Sequence, residues 1–357
     1  MRENRIRYSF QPGPAQLHPS VPSAIQEALE AGLLSRYHRD EVWKALYAQA
    51  QSALLTHLDA PADWLVAFVS SATEGWHLWV QVTSDLTALH VVQGSFGERW
   101  FALRAAISPF AKKYVWDFSL PPEPQIEALQ SRYQGVASLA IVHVETSKGA
   151  WLPDISLWRK AFPDALIGLD AASSLGAIPI PWDEVDFVLA SIQKGLGLPP
   201  GLGVVLLSPR CVVAFQDYPA QAYNALSRLI EMARQHEPLY TPNLLGIYLL
   251  AKTLTQRPSV SQVFPTLTQR ARALYEKISA KGYQPLLPES YRSPSVLAFM
   301  APSERALQAL HQKAEANGLY LGRGYGELKN QSFRIANFPA LTQEAYETLL
   351  SILGEIG

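Results

Sequence analysis

From Leu65 to Leu207 the chain alternates short apolar runs with longer amphipathic stretches. Leu65–Val69, His90–Val92, Ser138–Val144, Ala165–Leu169, Phe187–Ala190 and Gly203–Leu207 read as strands apolar on both faces. Thr73–Val82 and Trp100–Ile107 carry the helical spacing between them. Doubly apolar strands separated by helices predict a mainly parallel sheet covered on both sides, a three-layer α/β unit. After Tyr218 the pattern changes to long helical periods over 222–235, 244–254 and 263–281. A shorter α/β unit follows: a strand at Ser295–Met300, a helix at Ser303–Ala316, a strand at Ser332–Ala336 and a helix at Thr342–Leu353. The change of period places a large unit at 15–242 and a small one at 243–357, preceded by an N-terminal arm at 1–14.

Composition adds further constraints. The 357 residues suit about two domains. Charged residues are 17%, below the ~25% usual for soluble proteins, so part of the surface is expected to lie in a subunit interface. A net charge of -1 gives no electrostatic reason to bind nucleic acid or an anionic membrane. Cys211 is the one cysteine, which excludes an intrachain disulfide, a multi-cysteine zinc site and an iron–sulfur cluster. Met1–Tyr8 has no apolar h-region and no run approaches the ~18 residues of a membrane helix. The expectation is a soluble, cytoplasmic, oligomeric protein.

Ligands of open parallel sheets bind beyond the carboxyl ends of the strands. Asp170 follows one such strand. Lys194 follows another and opens the glycine-rich stretch 194–203. Singly, Lys194 reads more readily as a solvated loop lysine, and Asp170 as a helix cap. Together they match what pyridoxal phosphate requires, a lysine to form an imine and a carboxylate to keep the ring nitrogen protonated. Such a lysine must be neutral to react, so burial near a cation is expected to depress its pKa.

Five motifs then fall in order along residues 10–340. Phe10-Gln-Pro-Gly-Pro-Ala15, Leu169-Asp-Ala-Ala-Ser-Ser174, Ala190-Ser-Ile-Gln-Lys-Gly-Leu-Gly197, Tyr240-Thr-Pro-Asn243 and Phe333-Arg-Ile-Ala336 resemble segments of the class V aminotransferases. The nearest likeness is to phosphoserine aminotransferases. The resemblance implies a fold-type I homodimer with pyridoxal phosphate on Lys194 and Asp170 at its ring. It implies a phosphate turn at Ser70–Gly75, with Ala72, Thr73 and Gln193 as donors, and Tyr240 and Thr241 completing a neighbour's cup. Thr73 serves equally as a helix N-cap. Phe96 falls where the family stacks a ring on the cofactor, or is an ordinary core phenylalanine. Thr146 matches a residue bonding the cofactor's phenolic oxygen, whereas His143 reads as a core histidine. Arg334 matches the arginine for the substrate α-carboxylate. His38 and Arg39 match a pair reaching across the dimer, or approach a surface helix.

The likeness departs at two places. Thr73 stands where phosphoserine enzymes usually carry a basic residue, and the His-Arg pair before the last arginine is absent at its usual spacing; Arg323 and Lys329 are candidate replacements. The resemblance therefore implies transamination between phosphoserine and 2-oxoglutarate, with alanine– or serine–glyoxylate transamination as the rival. Cys211 sits in a run that looks buried, which argues against the cysteine desulfurases of the same fold. A binding protein without catalysis and a dinucleotide-binding enzyme are the remaining classes; the glycines at 195–203 lack the strand–helix context of the latter.

Overall fold

The computed structural model describes residues 6–152, 154–219 and 222–354; residues 1–5 of the expected arm and 355–357 of the expected small unit lie outside them. In chain order the strands are β1 (Tyr8–Phe10), β2 (Leu65–Val69), β3 (Ala88–Val92), β4 (Ala111–Val115), β5 (Ser138–Val142), and the ribbon β6 (Val144–Glu145) and β7 (Ala150–Trp151). Then come β8 (Leu166–Asp170), β9 (Phe187–Ser191), β10 (Gly203–Leu207), β11 (Gln284–Pro285), β12 (Val296–Met300), β13 (Leu319–Arg323) and β14 (Ser332–Ala336).

A seven-stranded sheet runs β2-β10-β9-β8-β5-β3-β4. Only β10 opposes its neighbours; the other ladders are parallel. Because β10 is antiparallel to both β2 and β9, the ends of β2, β5, β8 and β9 all emerge on one edge. β3, β5, β9 and β10 are buried along their whole length, which is why they read as unbroken apolar runs. Helices cover both faces. Trp43, Tyr47 and Leu54 of helix Glu41–His57 pack on one face, and Trp76 and Trp79 of helix Ala72–Val82 with Leu229 of helix Leu226–Arg234 on the other. The expected three-layer α/β fold is present.

The edge strand β4 escaped the sequence reading. Its Lys112, Lys113 and Val115 are exposed, so it shows neither alternation nor an apolar run, and charged side chains suit an open sheet edge. Helices Val21–Glu30 and Glu41–His57 were also not anticipated.

A second, five-stranded sheet has the order β1-β13-β14-β12-β11, and the N-terminal β1 pairs with β13 in parallel. Its core gathers Phe10, Phe299, Phe333 and Tyr346 beneath helices Val260–Ser279, Glu304–Ala316 and Gln343–Gly354. Helix Leu244–Leu254 has the bounds the periodicity predicts, but its Ile247, Leu250 and Leu254 pack into the large core beside helix Glu41–His57. A boundary at 243 would cut through that core. We propose instead that the two units part near Val260, where the chain leaves the large core along helix Val260–Ser279. No helix among the described residues is long and apolar enough to cross a membrane.

Candidate active site

The strand ends and the small sheet enclose a cavity of about 590 Å³. Ala72 and Thr73 line it from the start of a helix, Asp170 and Lys194 from the strand ends, and Arg334 from β14. Residues from Gln11 to Pro14 and Tyr325 also line it.

Lys194 sits on the cavity floor. Its Nζ donates to Ser173 Oγ at 3.0 Å and approaches Thr146 Oγ1 at 3.4 Å, and it lies 5.5 Å from the centre of the Phe96 ring. Burial pushes the ammonium pKa below its usual value; attraction to Asp170 and Glu145 opposes that shift, and the charge of Arg334 adds to it. A depressed lysine near a cation is what the sequence reading expected.

Asp170 closes β8 and is 3% exposed. Its Oδ2 accepts from the Trp76 indole N–H at 2.8 Å and its Oδ1 from the Ala172 N–H at 2.8 Å. Burial still pushes this carboxyl above its usual pKa, against the pull of the Ala172 N–H, the Lys194 charge and the Trp76 N–H. Two neutral donors and a lysine do not fully offset desolvation, so the site favours a further cation at Asp170. A protonated pyridine nitrogen is such a group.

Arg334, 9% exposed, faces this floor from the small unit. Nε donates to the Arg323 carbonyl and Nη1 to the Thr146 carbonyl, each at 2.9 Å. These bonds fix the plane of the guanidinium, and its carbon stands 5.6 Å from the Tyr325 ring centre. The arrangement presents a planar fork suited to a carboxylate.

The turn before helix Ala72–Val82 is braced from below. Ser71 accepts from the Glu74 N–H as N-cap, and the Ala72 N–H donates to Ser191 Oγ at 2.9 Å. Thr73 is therefore not the cap; it stands exposed on the cavity wall. Glu74, though beside a helix N-terminus that favours anions, is occupied by Ser70 N–H and Oγ–H, the Asn224 amide and the Tyr240 hydroxyl. Burial acts against its charge, yet these bonds hold its pKa below the usual value. The Gln193 Oε1 is buried without a hydrogen-bond partner among the described residues, an acceptor on the cavity wall that a donor group would satisfy.

Phe96 packs against the core beside Trp76 and also lines the cavity, 5.4 Å from Tyr325 between ring centres. Glu145, which sequence reasoning passed over, holds it there: its carboxylate accepts from the Phe96 and Gly97 N–H groups at the start of helix Ser95–Ile107, and from the N–H and hydroxyl of Ser147. An acid in an otherwise apolar run was its only signal. Trp76 gave none, since a tryptophan on a buried helix face reads as core. His143 is a satisfied core histidine. The Trp151 indole N–H donates to its Nε2, so the proton on Nδ1 faces Ser174 Oγ, and burial lowers its pKa to about 4.

Four expected site residues do not line their own chain's cavity. Arg39 donates to the Pro238 and Leu239 carbonyls at 3.2 Å, and His38 packs against Tyr37. Tyr240 is tied to Glu74 of its own chain, and Thr241 is exposed beside it. Arg323 lines the cavity and pairs with Glu315 at 3.4 Å, whereas Lys329 lines a separate groove on the small unit. Cys211 is fully buried and burial pushes its thiol pKa well up, which leaves it unreactive.

Gly13 forms the roof of the cavity at φ +150°, and a Cβ there would lie 3.0 Å from Lys194 Cε. Gly13→Ala therefore displaces the lysine. The expected result is a folded protein whose kcat falls about tenfold, in line with ~1–3 kcal/mol for a strained position. Circular dichroism checks the fold and a transamination assay the rate; an unchanged kcat would show that the roof does not position Lys194.

The family model for aminotransferase class-V matches residues 118–304. A serine–glyoxylate aminotransferase of Methylorubrum extorquens is 29% identical over 374 residues, covering 97% of this chain and 88% of that protein. A protein described as the small subunit of a soluble hydrogenase from Synechococcus is 29% identical over 281 residues, 74% of this chain and 72% of its own length. The crystal structure of a phosphoserine aminotransferase from Cytophaga hutchinsonii superposes with a TM-score of 0.91 at 28% identity, covering 100% of both chains.

Proposed function

The chain belongs to the class-V aminotransferase family and is a transaminase, and from that premise we propose that it uses pyridoxal phosphate to exchange amino groups between O-phosphoserine and 2-oxoglutarate. One observation carries the cofactor assignment: Lys194 and the buried Asp170 share a cavity with Arg334, which is held by two backbone carbonyls. The residues fit the group. Asp170 offers an under-compensated carboxylate, Lys194 an amine that burial disfavours as a cation, and Phe96 an aromatic wall.

The Thr73 hydroxyl and the Gln193 amide N–H would hold the phosphate at the turn that Ala72 opens, Thr146 would hold the phenolic oxygen, and Asp170 the ring nitrogen. When bound, the cofactor supplies an aldehyde for the amine and a ring that takes up the electron pair left when the substrate Cα–H bond breaks. Arg334 orients the substrate by its α-carboxylate so that the Cα–H faces Lys194. Lys194 Nζ, neutral once freed, accepts that proton and later releases it as general acid. Gln11–Pro14 and Tyr325 wall the cavity in which this transfer would take place.

The phosphoserine assignment is supported by the end-to-end match with the Cytophaga enzyme; Arg323 on the cavity wall would have to leave Glu315 to meet a substrate phosphate. The Methylorubrum enzyme supports the rival, transfer from a small neutral amino acid to glyoxylate. The working unit in this proposal is a homodimer. His38, Arg39, Tyr240 and Thr241 gather on one flank outside their own cavity, where Tyr37 and Tyr223 are exposed, at 64% and 74%. That flank would meet the neighbour's site.

Coupled assays with phosphohydroxypyruvate, pyruvate and glyoxylate as amino acceptors separate the readings. The expected result is turnover with phosphohydroxypyruvate at a kcat/KM at least about tenfold above the other two, the worth of one good charged contact. Turnover with pyruvate and glyoxylate alone sinks the phosphoserine assignment and leaves the transaminase intact.

A further inference from the structure

We propose that Ser173 is a positioning residue for the reactive lysine: its hydroxyl seats the Lys194 amine whenever that amine is not covalently engaged, and links it to the arginine across the cavity. The inference gives Ser173 a place in the transaminase reading above and rests on that reading for its catalytic meaning.

Ser173 lies two residues beyond the Asp170–Ala171 turn and is 1% exposed. Its Oγ is 3.0 Å from Lys194 Nζ and is hydrogen-bonded to Thr146 Oγ1. It is pinned from behind, since its carbonyl accepts from the Ser295 hydroxyl of the small unit at 2.7 Å, and Ser295 is completely buried. Thr146 in turn offers its carbonyl to Arg334 Nη1. Two hydrogen bonds on the hydroxyl side of Thr146 and one at its carbonyl, joined through the residue's covalent frame, therefore connect the Lys194 amine to the Arg334 fork across the cavity. The small unit contributes both ends of what holds Ser173 and Thr146 in place.

A hydroxyl is suited to this seat because it can accept from an ammonium and donate to a neutral amine. Lysine alternates between these two forms in the reaction, so a group that pairs with both keeps Nζ aimed through the proton transfer. The charged and titratable groups facing Lys194 are Asp170 from β8, Glu145 from β6, Arg334 from β14, and Arg323 and Tyr325 on the cavity wall. None of the carboxylates is within hydrogen-bond contact of Nζ among the described residues, which leaves Ser173 and, at longer range, Thr146 as its partners. An acceptor bonded to the ammonium favours the charged form. Removing Ser173 Oγ therefore makes Lys194 hold its proton less tightly and leaves the nitrogen free to turn.

The test uses the cofactor-free protein. Wild type and Ser173→Ala are treated with acetic anhydride across a range of pH, and acetylation of Lys194 is followed by mass spectrometry. The expected result is a labelling midpoint about one unit lower in Ser173→Ala, so that Lys194 reacts roughly tenfold faster at pH values below it. Ser173→Cys, close in size but weaker as a hydrogen-bond partner, falls between the two and carries the test if the alanine variant does not fold. Identical profiles in wild type and in whichever variants fold overturn the proposal. With cofactor added, Ser173→Ala loses about tenfold in kcat with KM unchanged, and the isotope effect from an α-deuterated amino acid rises. A shifted labelling profile in a protein with no transaminase activity would overturn the transaminase reading alone, and an active enzyme with an unshifted profile would overturn only the role of Ser173.

Discussion

Lys194→Met retains its fold and loses transaminase activity by about 10⁴-fold, the upper range for a positioned acid–base group, with the loss of the covalent anchor added to it. Methionine keeps most of the volume, so Gly13 and Phe96 retain a neighbour while the amine is gone. Thermal unfolding of the cofactor-free protein provides the second readout. Burial lowers the Lys194 pKa from its ordinary 10.5, so the unfolded chain binds the proton more tightly than the folded one. The stability of the wild type is then fullest above 10.5 and falls as pH drops toward the folded-state value. Lys194→Met escapes that loss. It melts no lower than wild type at pH 7, and its relative advantage shrinks as pH rises toward 10.5. Activity within tenfold of wild type would remove Lys194 from the chemistry.

Asp170→Asn has the next largest effect, a fall in kcat of about 10²- to 10³-fold, comparable to the loss of one preorganised electrostatic contact at a reacting centre. Asparagine has nearly the same shape and still accepts from one of the two donors, Trp76 or Ala172, but it cannot balance a positive ring nitrogen. The pH dependence of stability has the opposite sign to that of Lys194. The folded Asp170 carboxyl is raised above its ordinary 3.8, so its contribution to stability is complete below that value and is lost as pH rises through the folded value. In the cofactor-free protein the margin of wild type over Asp170→Asn is therefore widest in acid and narrows toward neutrality. Thermal melts of both proteins from pH 4 to 7 read the margin directly. A margin that widened with pH would mean the carboxylate is already fully paired without a cofactor.

How much of this was legible in advance depended on where each residue's partners lie. Lys194 and Asp170 announced themselves because strand ends can be read from local apolar runs, and because both residues break those runs with a charge. His143 was read as a core histidine for the same local reason, and Trp151 and Ser174 satisfy it. Thr73 was misread as a possible cap because Ser71, two residues earlier, has the same capping chemistry. The roles of Glu145, Trp76 and Ser173 were not legible. Each acts through a partner distant in the chain: Phe96 for the first, Asp170 for the second, Lys194 for the third.

The chain's own pattern determined the three-layer sheet, every strand of it except the edge strand β4, helix Leu244–Leu254 to the residue, and the lysine and aspartate on which the site is built. These follow from periodicity and from charges within a few residues. The tertiary structure alone placed helix Leu244–Leu254 in the large core, its apolar face buried against helix Glu41–His57, some two hundred residues earlier in the chain. It alone turned Tyr240 onto Glu74, set Arg334 against Thr146 and placed Ser173 beneath Lys194. Those contacts cross the sheet edge and the cleft between the two units, where hydrogen-bond geometry rather than local spacing chooses the partner.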